Sequence, residues 1–182
     1  ASSRMDGHQC AIFPANGANT PIEIFESDTP LIVEERSLVC DSGGPGKQRG
    51  GLGRKMVIRV PDDEFAPQPP TSIAVQAGRF RYPPQGLFNA GAGAKAQFVI
   101  NAEAGDPSGL TLCRTGDSIH FQSAGGGGYG NPLERDPEAV EADVFNGYVS
   151  VEQARADYGV AIDPVTLKVN IEETQKLRKN RK

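Results

Sequence analysis

The chain has 182 residues and a formal charge of -4, with a pI near 5.2. It is long enough to bury one apolar core of its own and too acidic for a general nucleic-acid binder, whose footprint is basic. With 22 Gly, 14 Pro, no Trp and 7% aromatic residues, it is expected to consist of short elements joined by many turns. Cys10, Cys40 and Cys113 are too few and too scattered for a secreted disulfide framework, which favours a reducing cytoplasm.

At the N-terminus, "ASSRMDGHQC" has no apolar stretch of the kind a signal peptide needs, and no later run approaches the roughly 20 residues of a spanning helix. No membrane partner is expected. Ala1 is small enough to be exposed when an initiator Met is trimmed, which favours a complete gene product over a cleaved fragment. The chain reads as a single domain over 1–182, with a β-rich part over 14–125, a helical part over 132–160 and a basic tail over 171–182.

From Pro21 onward the apolar residues fall in short groups set apart by Gly and Pro. "PIEIFE" alternates at Ile22 and Ile24, and "PLIVEERSLVC", "KMVIRV", "SIAVQAGRF", "AQFVIN", "LTLC" and "DSIHF" follow. All read as strands. No window in this region carries an apolar stripe at helical spacing, so the fold class is mainly β, an antiparallel sandwich or barrel with long Gly/Pro loops. Two short C-terminal helices complete it. Asp136 before Pro137 sets an N-cap with proline at the first helical position; Ala139, Val140 and Val144 then share a face until Asn146-Gly147. Ser150 and Gln153 form a capping box, and Gly159 supplies a left-handed C-cap. The tail "QKLRKNRK" holds Lys176, Arg178, Lys179, Arg181 and Lys182 with little apolar content and is expected to be solvated.

Two glycine clusters invite a nucleotide reading. In "SGGPGKQRGGLG", Gly46-Lys47 could centre a phosphate-binding loop, but Asp41 stands where the first glycine belongs, Gln48 follows the lysine, and a strand rather than a helix comes next. A dinucleotide fingerprint fails too, because neither Gly44-Pro45-Gly46 nor Gly51-Leu52-Gly53 opens a helix. Gly43, Gly44, Gly46, Gly50 and Gly51 are therefore expected to serve tight turns with positive φ and close backbone approach, with Lys47, Arg49 and Arg54 facing solvent or a partner. The second cluster, Gly125, Gly126, Gly127 and Gly128 leading to Tyr129, is expected to pack against another backbone, since a linker would mix in more Ser.

Catalytic and metal candidates are few. His8, Cys10 and Cys40 could share a zinc ion, but lack the compact spacing of zinc sites, and a free Cys is commonly a small buried hydrophobe. His120 on its strand, with Ile119 and Phe121 pointing the other way, reads as a hydrogen-bonded histidine rather than a general base. No G-x-S-x-G elbow is present, and Asp62, Asp63 and Glu64 form a charged loop. No catalytic residue is assigned.

Four stretches, "PANGANTPIEIFE", "DSGGPGKQRGGLG", "RYPPQGLFNAGAGAK" and "GDSIHFQSAGGGGYGNPLERDPEAVEADVFNGYVSVEQARADYGV", run in order from Pro14 to Val160. Together they resemble the C-terminal part of the hydantoinase B family, which includes hydantoinase and 5-oxoprolinase B-type chains and the large subunits of acetone and acetophenone carboxylases. The resemblance implies a separate small subunit that completes a B-type chain and is not catalytic alone. It is most like the acetophenone carboxylase type, an ATP-dependent carboxylase joining bicarbonate to an aryl ketone to give a β-keto acid. An ATP-dependent hydantoinase or 5-oxoprolinase B-type part and a purely structural assembly subunit are the alternatives. The implied partners are A-type ATP-binding and B-type subunits in a hetero-oligomer. No cofactor is implied on this chain; ATP and a divalent metal, Mg or Mn, would lie on the other subunits. The loops Gly44 to Leu52 and Tyr82 to Phe88, with Arg81, Tyr82, Leu87 and Phe88, are candidates for the surface facing those partners, unless Leu87 and Phe88 cap the domain's own core.

Overall fold

A computed structural model of the protein describes residues 1–9, 20–62, 64, 71–75 and 77–181. Cys10, Asp63 and the stretch from Pro14 to Asn19 that opens the first resembling motif lie outside them. The first element is a helix, α1 (Ile22–Asp28), followed by strands β1 (Ile32–Leu38), β2 (Arg54–Arg59), β3 (Thr71–Ala74), β4 (Gln97–Ile100), β5 (Glu103–Ala104), β6 (Leu110–Cys113) and β7 (Ser118–Gln122). A 3-10 turn (Pro132–Glu134) leads to α2 (Pro137–Phe145), α3 (Val151–Tyr158) and α4 (Ile171–Lys179). The mainly β class with C-terminal helices is as expected.

Five strands form one antiparallel sheet in the order β1-β2-β7-β4-β5. It is open, not a barrel. Its register places Met56, Phe121 and Phe98 in one row and Ile58, Ile119 and Ile100 two residues away. The period of two therefore collects these side chains on one face. A two-stranded ribbon, β3 with β6, lies over that face, so that Ile73 and Cys113 join Leu31, Val60, Phe98 and Ile119 in one core. The opposite side of the ribbon leaves Leu110 and Leu112 exposed. A second core lies in the C-terminal third, where Val140, Val144, Val149, Ala154, Tyr158, Val160 and Ile162 pack together.

The helical signals behave as their chemistry dictates. Asp136 accepts a hydrogen bond from the Glu138 amide at 3.0 Å, Ser150 accepts one from the Gln153 amide at 3.1 Å, and Gly159 has φ +61. Each satisfies or turns a helix end that would otherwise leave backbone groups unpaired.

Two expectations are corrected. "PIEIFE" is helical: two alternating isoleucines cannot outweigh an Ile22/Phe25 pair at helical spacing, and Phe25 packs onto the sheet core while Ile24 is half exposed. The tail expected to be solvated begins as α4, a third C-terminal helix. It docks through polar groups that hydropathy does not register: the buried Thr174 hydroxyl accepts from the Ala161 amide at 3.0 Å, and Arg178 donates to the carbonyls of Tyr158 at 3.2 Å and Arg135 at 2.7 Å. Glu172 and Glu173 in its first turn and Lys176, Arg178 and Lys179 in its last complement the helix dipole.

Candidate functional site

Three glycine-bearing loops, residues 42–53, 84–94 and 125–130, lie side by side. The Gly44 amide donates to the Gly126 carbonyl at 2.8 Å, Gly126 to Gly51 at 2.7 Å, Gly125 to Ala94 at 3.0 Å, Ala94 to Ser42 at 2.8 Å, Gly91 to Pro45 at 2.7 Å and Gly128 to Gly91 at 3.1 Å. Such spacing leaves no room for side chains. A Cβ on Gly125 would fall on the Ser42 carbonyl, one on Gly50 on the Gly126 carbonyl, and one on Gly127 on the Gln85 carbonyl. The close approach expected from the sequence is present, but the expected positive φ is not: among the described glycines only Gly116, Gly130, Gly147 and Gly159 have it. These residues are glycine because of space, not torsion.

A buried charge network ties this platform to the helices. Asp143 on α2 receives Arg49 Nε at 3.2 Å on one oxygen and Arg135 Nη2 at 2.8 Å on the other, and all three residues are no more than 5% exposed. Arg135 reaches on to the two oxygens of Asp6 at 2.7 and 2.8 Å and to the Lys47 carbonyl at 3.0 Å. Arg49 donates to the Gly50 carbonyl at 2.7 Å, and its guanidinium lies 5.0 Å from the Tyr148 ring centre. The expectation that Arg49 faces solvent or a partner is therefore corrected: the helix cap at Asp136 places Asp143 where it pairs with the arginine inside the chain. Burial pushes the Tyr158 phenol beside this network well up, keeping it neutral.

Asp6 carries a pH prediction. Desolvation raises its carboxyl pKa, but the Arg135 fork and the Arg49 amide outweigh that and hold it below the ordinary value. A carboxylate favoured in the folded state adds stability fully above the ordinary range, and that contribution is lost as pH falls through the depressed value. Asp6→Asn is expected to cost stability at neutral pH and to lose less than the wild type below about pH 4. Denaturant titrations at both pH values check this; parallel acid losses would refute it.

The other anticipated residues divide into two sets. Gly44, Gly46, Gly50 and Gly51 are buried within the chain, Gly43 is half-buried, and Gly125 and Gly128 are buried with Gly126 and Gly127 partly so. Lys47 is exposed, 3.5 Å from Glu134. Tyr82, Leu87 and Phe88, by contrast, are 76%, 60% and 69% exposed, so Leu87 and Phe88 do not cap a core. Tyr129 is half-buried with its ring 5.0 Å from that of Phe88. His120 lies on the sheet face opposite Ile119 and Phe121, its Nε2 3.0 Å from Ser118 Oγ. Of the suggested metal set, His8 and Cys40 are exposed and Cys10 is outside the described residues. Desolvation and the Asp41 carboxylate push the Cys40 thiol up, away from the thiolate a metal prefers. Among the described residues no three His, Cys, Asp or Glu side chains converge as a metal site, and no helix is long and apolar enough to cross a membrane.

Sequence reasoning missed the partnership of Arg49, Arg135, Asp143 and Asp6. The only available signal was an Asp among apolar residues on the inner side of α2, at the spacing of Val140 and Val144.

The chain is 34% identical over 172 residues to the B chain of a putative D-/L-hydantoinase of Pseudomonas sp., covering 91% of this chain and 28% of that one. It is 32% identical over 180 residues to the beta chain of the caprolactamase of Pseudomonas jessenii, covering 90% and 29%, and 30% identical over 186 residues to the acetophenone carboxylase delta subunit of Aromatoleum aromaticum, covering 86% and 27%. It thus spans little more than a quarter of these relatives. The crystal structure of the ATP-dependent caprolactamase from Pseudomonas jessenii matches with TM-score 0.71 and 29% identity over 87% of this chain and 28% of that one. A nucleotide-free acetone carboxylase shares the fold with TM-score 0.76 and 23% identity over all of this chain and 29% of that one. The hydantoinase B/oxoprolinase family model matches residues 1–132, and with this loop platform and this fold the chain belongs to that family.

Proposed function

We propose that the chain is the glycine-platform part of an ATP-dependent enzyme assembly. It works as a small subunit that completes a larger B-type polypeptide, alongside a separate A-type, ATP-binding subunit in the cytoplasm. The observation that carries this reading is the likeness to a caprolactamase chain of which this one covers only 28%. The platform holds the position of the helical part against the sheet, and catalysis belongs to the larger part. ATP and a divalent metal are assigned to the partner subunits because the amides that could cradle phosphate here, including those of Gly44, Gly50, Gly126 and Gly128, are already given to backbone carbonyls.

For the reaction, opening of a cyclic amide is placed first. The hydantoinase and caprolactamase chains, at 34% and 32% identity, support it over comparable lengths. This reverses the order expected from the sequence resemblance. Carboxylation of an aryl ketone is the second reading, favoured by the 30% identity to the acetophenone carboxylase chain.

The test is to tag the chain in its native host, purify what accompanies it, and supply ATP with hydantoin, with caprolactam, or with acetophenone plus bicarbonate. Ring-opened product with ADP is expected; a β-keto acid and no ring opening would reverse the order. Calorimetry on the chain alone is expected to show ATP binding no tighter than about millimolar, and micromolar affinity would overturn the assignment of nucleotide to the partner.

A further inference from the structure

One exposed loop brings cationic, aromatic and aliphatic side chains together at the surface. Between Arg79 and Asn89 it displays Arg79, Arg81, Tyr82, Leu87 and Phe88, all exposed. Arg79 and Arg81 help to line an open hollow of about 660 Å³ together with Phe80 and Tyr82. Among the described residues neither guanidinium has a hydrogen-bonding or ion-pair partner, and the one carboxylate on the hollow, Asp106, is turned onto the amide and hydroxyl of Ser108 at 2.9 and 2.6 Å.

Phe88 stands at the tip of the loop. Its φ is +56 and that of Asn89 is +66, and the Ala90 amide returns to the Leu87 carbonyl at 3.4 Å. A turn with two left-handed residues is suited to Asn and Gly; a large aromatic there is strained and gains little burial, apart from the edge it shares with Tyr129. The backbone beneath does not yield. The Leu87 amide donates to the Gly128 carbonyl at 3.0 Å, and the Gly130 amide returns to the Leu87 carbonyl at 2.9 Å, so the glycine platform holds the tip out. Arginine, tyrosine and phenylalanine in one cluster are also the side chains that anchor interfaces.

We infer that this loop is the docking surface for the larger B-type part, the roughly 70% of these relatives that lies beyond the stretch this chain matches. Phe88 inserts into an apolar pocket of that part, and carboxylates at its rim meet Arg79 and Arg81. The inference rests on the reading proposed above and goes beyond it by naming the surface and the chemistry of its counterpart. It also excludes the loop Gly44 to Leu52 as the anchor, since its contacts are used inside the chain. Leu110 and Leu112, exposed on the ribbon, serve as the competing surface.

The experiment uses the tagged full chain and, as probe, the larger hydantoinase B polypeptide that co-purifies with it. Phe88→Asn suits the turn, so the chain alone is expected to melt within about 4 °C of the wild type, whereas its affinity for the probe falls about 30-fold or more. Arg81→Glu is expected to slow association most at low salt. Leu112→Ser is expected to change neither. A photo-crosslinking residue at position 88 is expected to join the B-type polypeptide. Unchanged affinity in Phe88→Asn, a loss confined to Leu112→Ser, or crosslinks only to a second copy of this chain would overturn the docking surface while leaving the proposed role in the assembly in place. If no B-type polypeptide co-purifies, both fall.

Discussion

Replacing Gly125 with alanine is expected to lower the stability of the chain by more than about 3 kcal/mol, at the upper end of what overpacking costs, and its Tm by roughly 6–12 °C. The added methyl would coincide with the Ser42 carbonyl, a backbone atom that cannot rotate aside. Moving it would loosen Ser42, whose carbonyl holds the Ala94 amide and whose hydroxyl accepts the Gly53 amide at 2.8 Å. Three loops would shift together. Two controls separate crowding from the ordinary effect of exchanging glycine for alanine. Gly78, with no atom of the described residues within 4 Å of its would-be Cβ and no positive φ, is expected to accept alanine with no loss, or with a gain of about 0.4–1 kcal/mol from the stiffer unfolded chain. Gly126, in the same cluster, has its nearest obstacle at 3.1 Å and should fall between the two. Thermal melts in the order Gly125, Gly126, Gly78 would support space as the reason for glycine here; equal melts would refute it.

What could be read from the sequence follows from how local each cause is. The caps at Asp136, Ser150 and Gly159 and the alternation at Ile119, His120 and Phe121 are set by neighbours within a few residues, and each is found where the residues place it. The pairing of the two glycine clusters was foreseeable only in kind, because which backbone opposes Gly125 depends on partners some 80 positions away. The same distance hid the charge network, whose members Asp6 and Arg135 are separated by 129 positions. The docking of α4 was hidden differently: Thr174 and Arg178 hold it by hydrogen bonds to backbone, and a reading based on apolar content has no means of registering them. The exposed Phe88 shows the reverse case. Its residue type left burial in the core and exposure to a partner as alternatives, and its exposure on a left-handed turn decides between them.

Asp143→Ala is expected to destabilise the chain by about 3–5 kcal/mol, because the substitution leaves buried cations without their counter-charge. Arg49 and Arg135 are each 4% exposed, and Asp143 is the carboxylate they share, one oxygen apiece. Neither cation can escape easily: Arg49 is held by the Gly50 carbonyl and the Tyr148 ring, and Arg135 by Asp6 and the Lys47 carbonyl. Arg135 keeps one anionic partner when Asp143 is lost, whereas Arg49 loses its ion pair among the described residues. Hence Arg49→Met in the Asp143→Ala background is expected to cost less than Arg49→Met alone, a coupling a double-mutant cycle reads directly. The exposed pair of Arg155 and Glu173, at 2.7 Å, supplies the comparison, since removing Glu173 should cost no more than about 1 kcal/mol. Were Asp143→Ala to behave like that surface pair, or the cycle to close with simple additivity, the network would not be what fastens the platform to α2. If the large, coupled loss is observed, the same four residues explain how the sheet and the helices are kept in one arrangement, with the Phe88 loop presented on a rigid base.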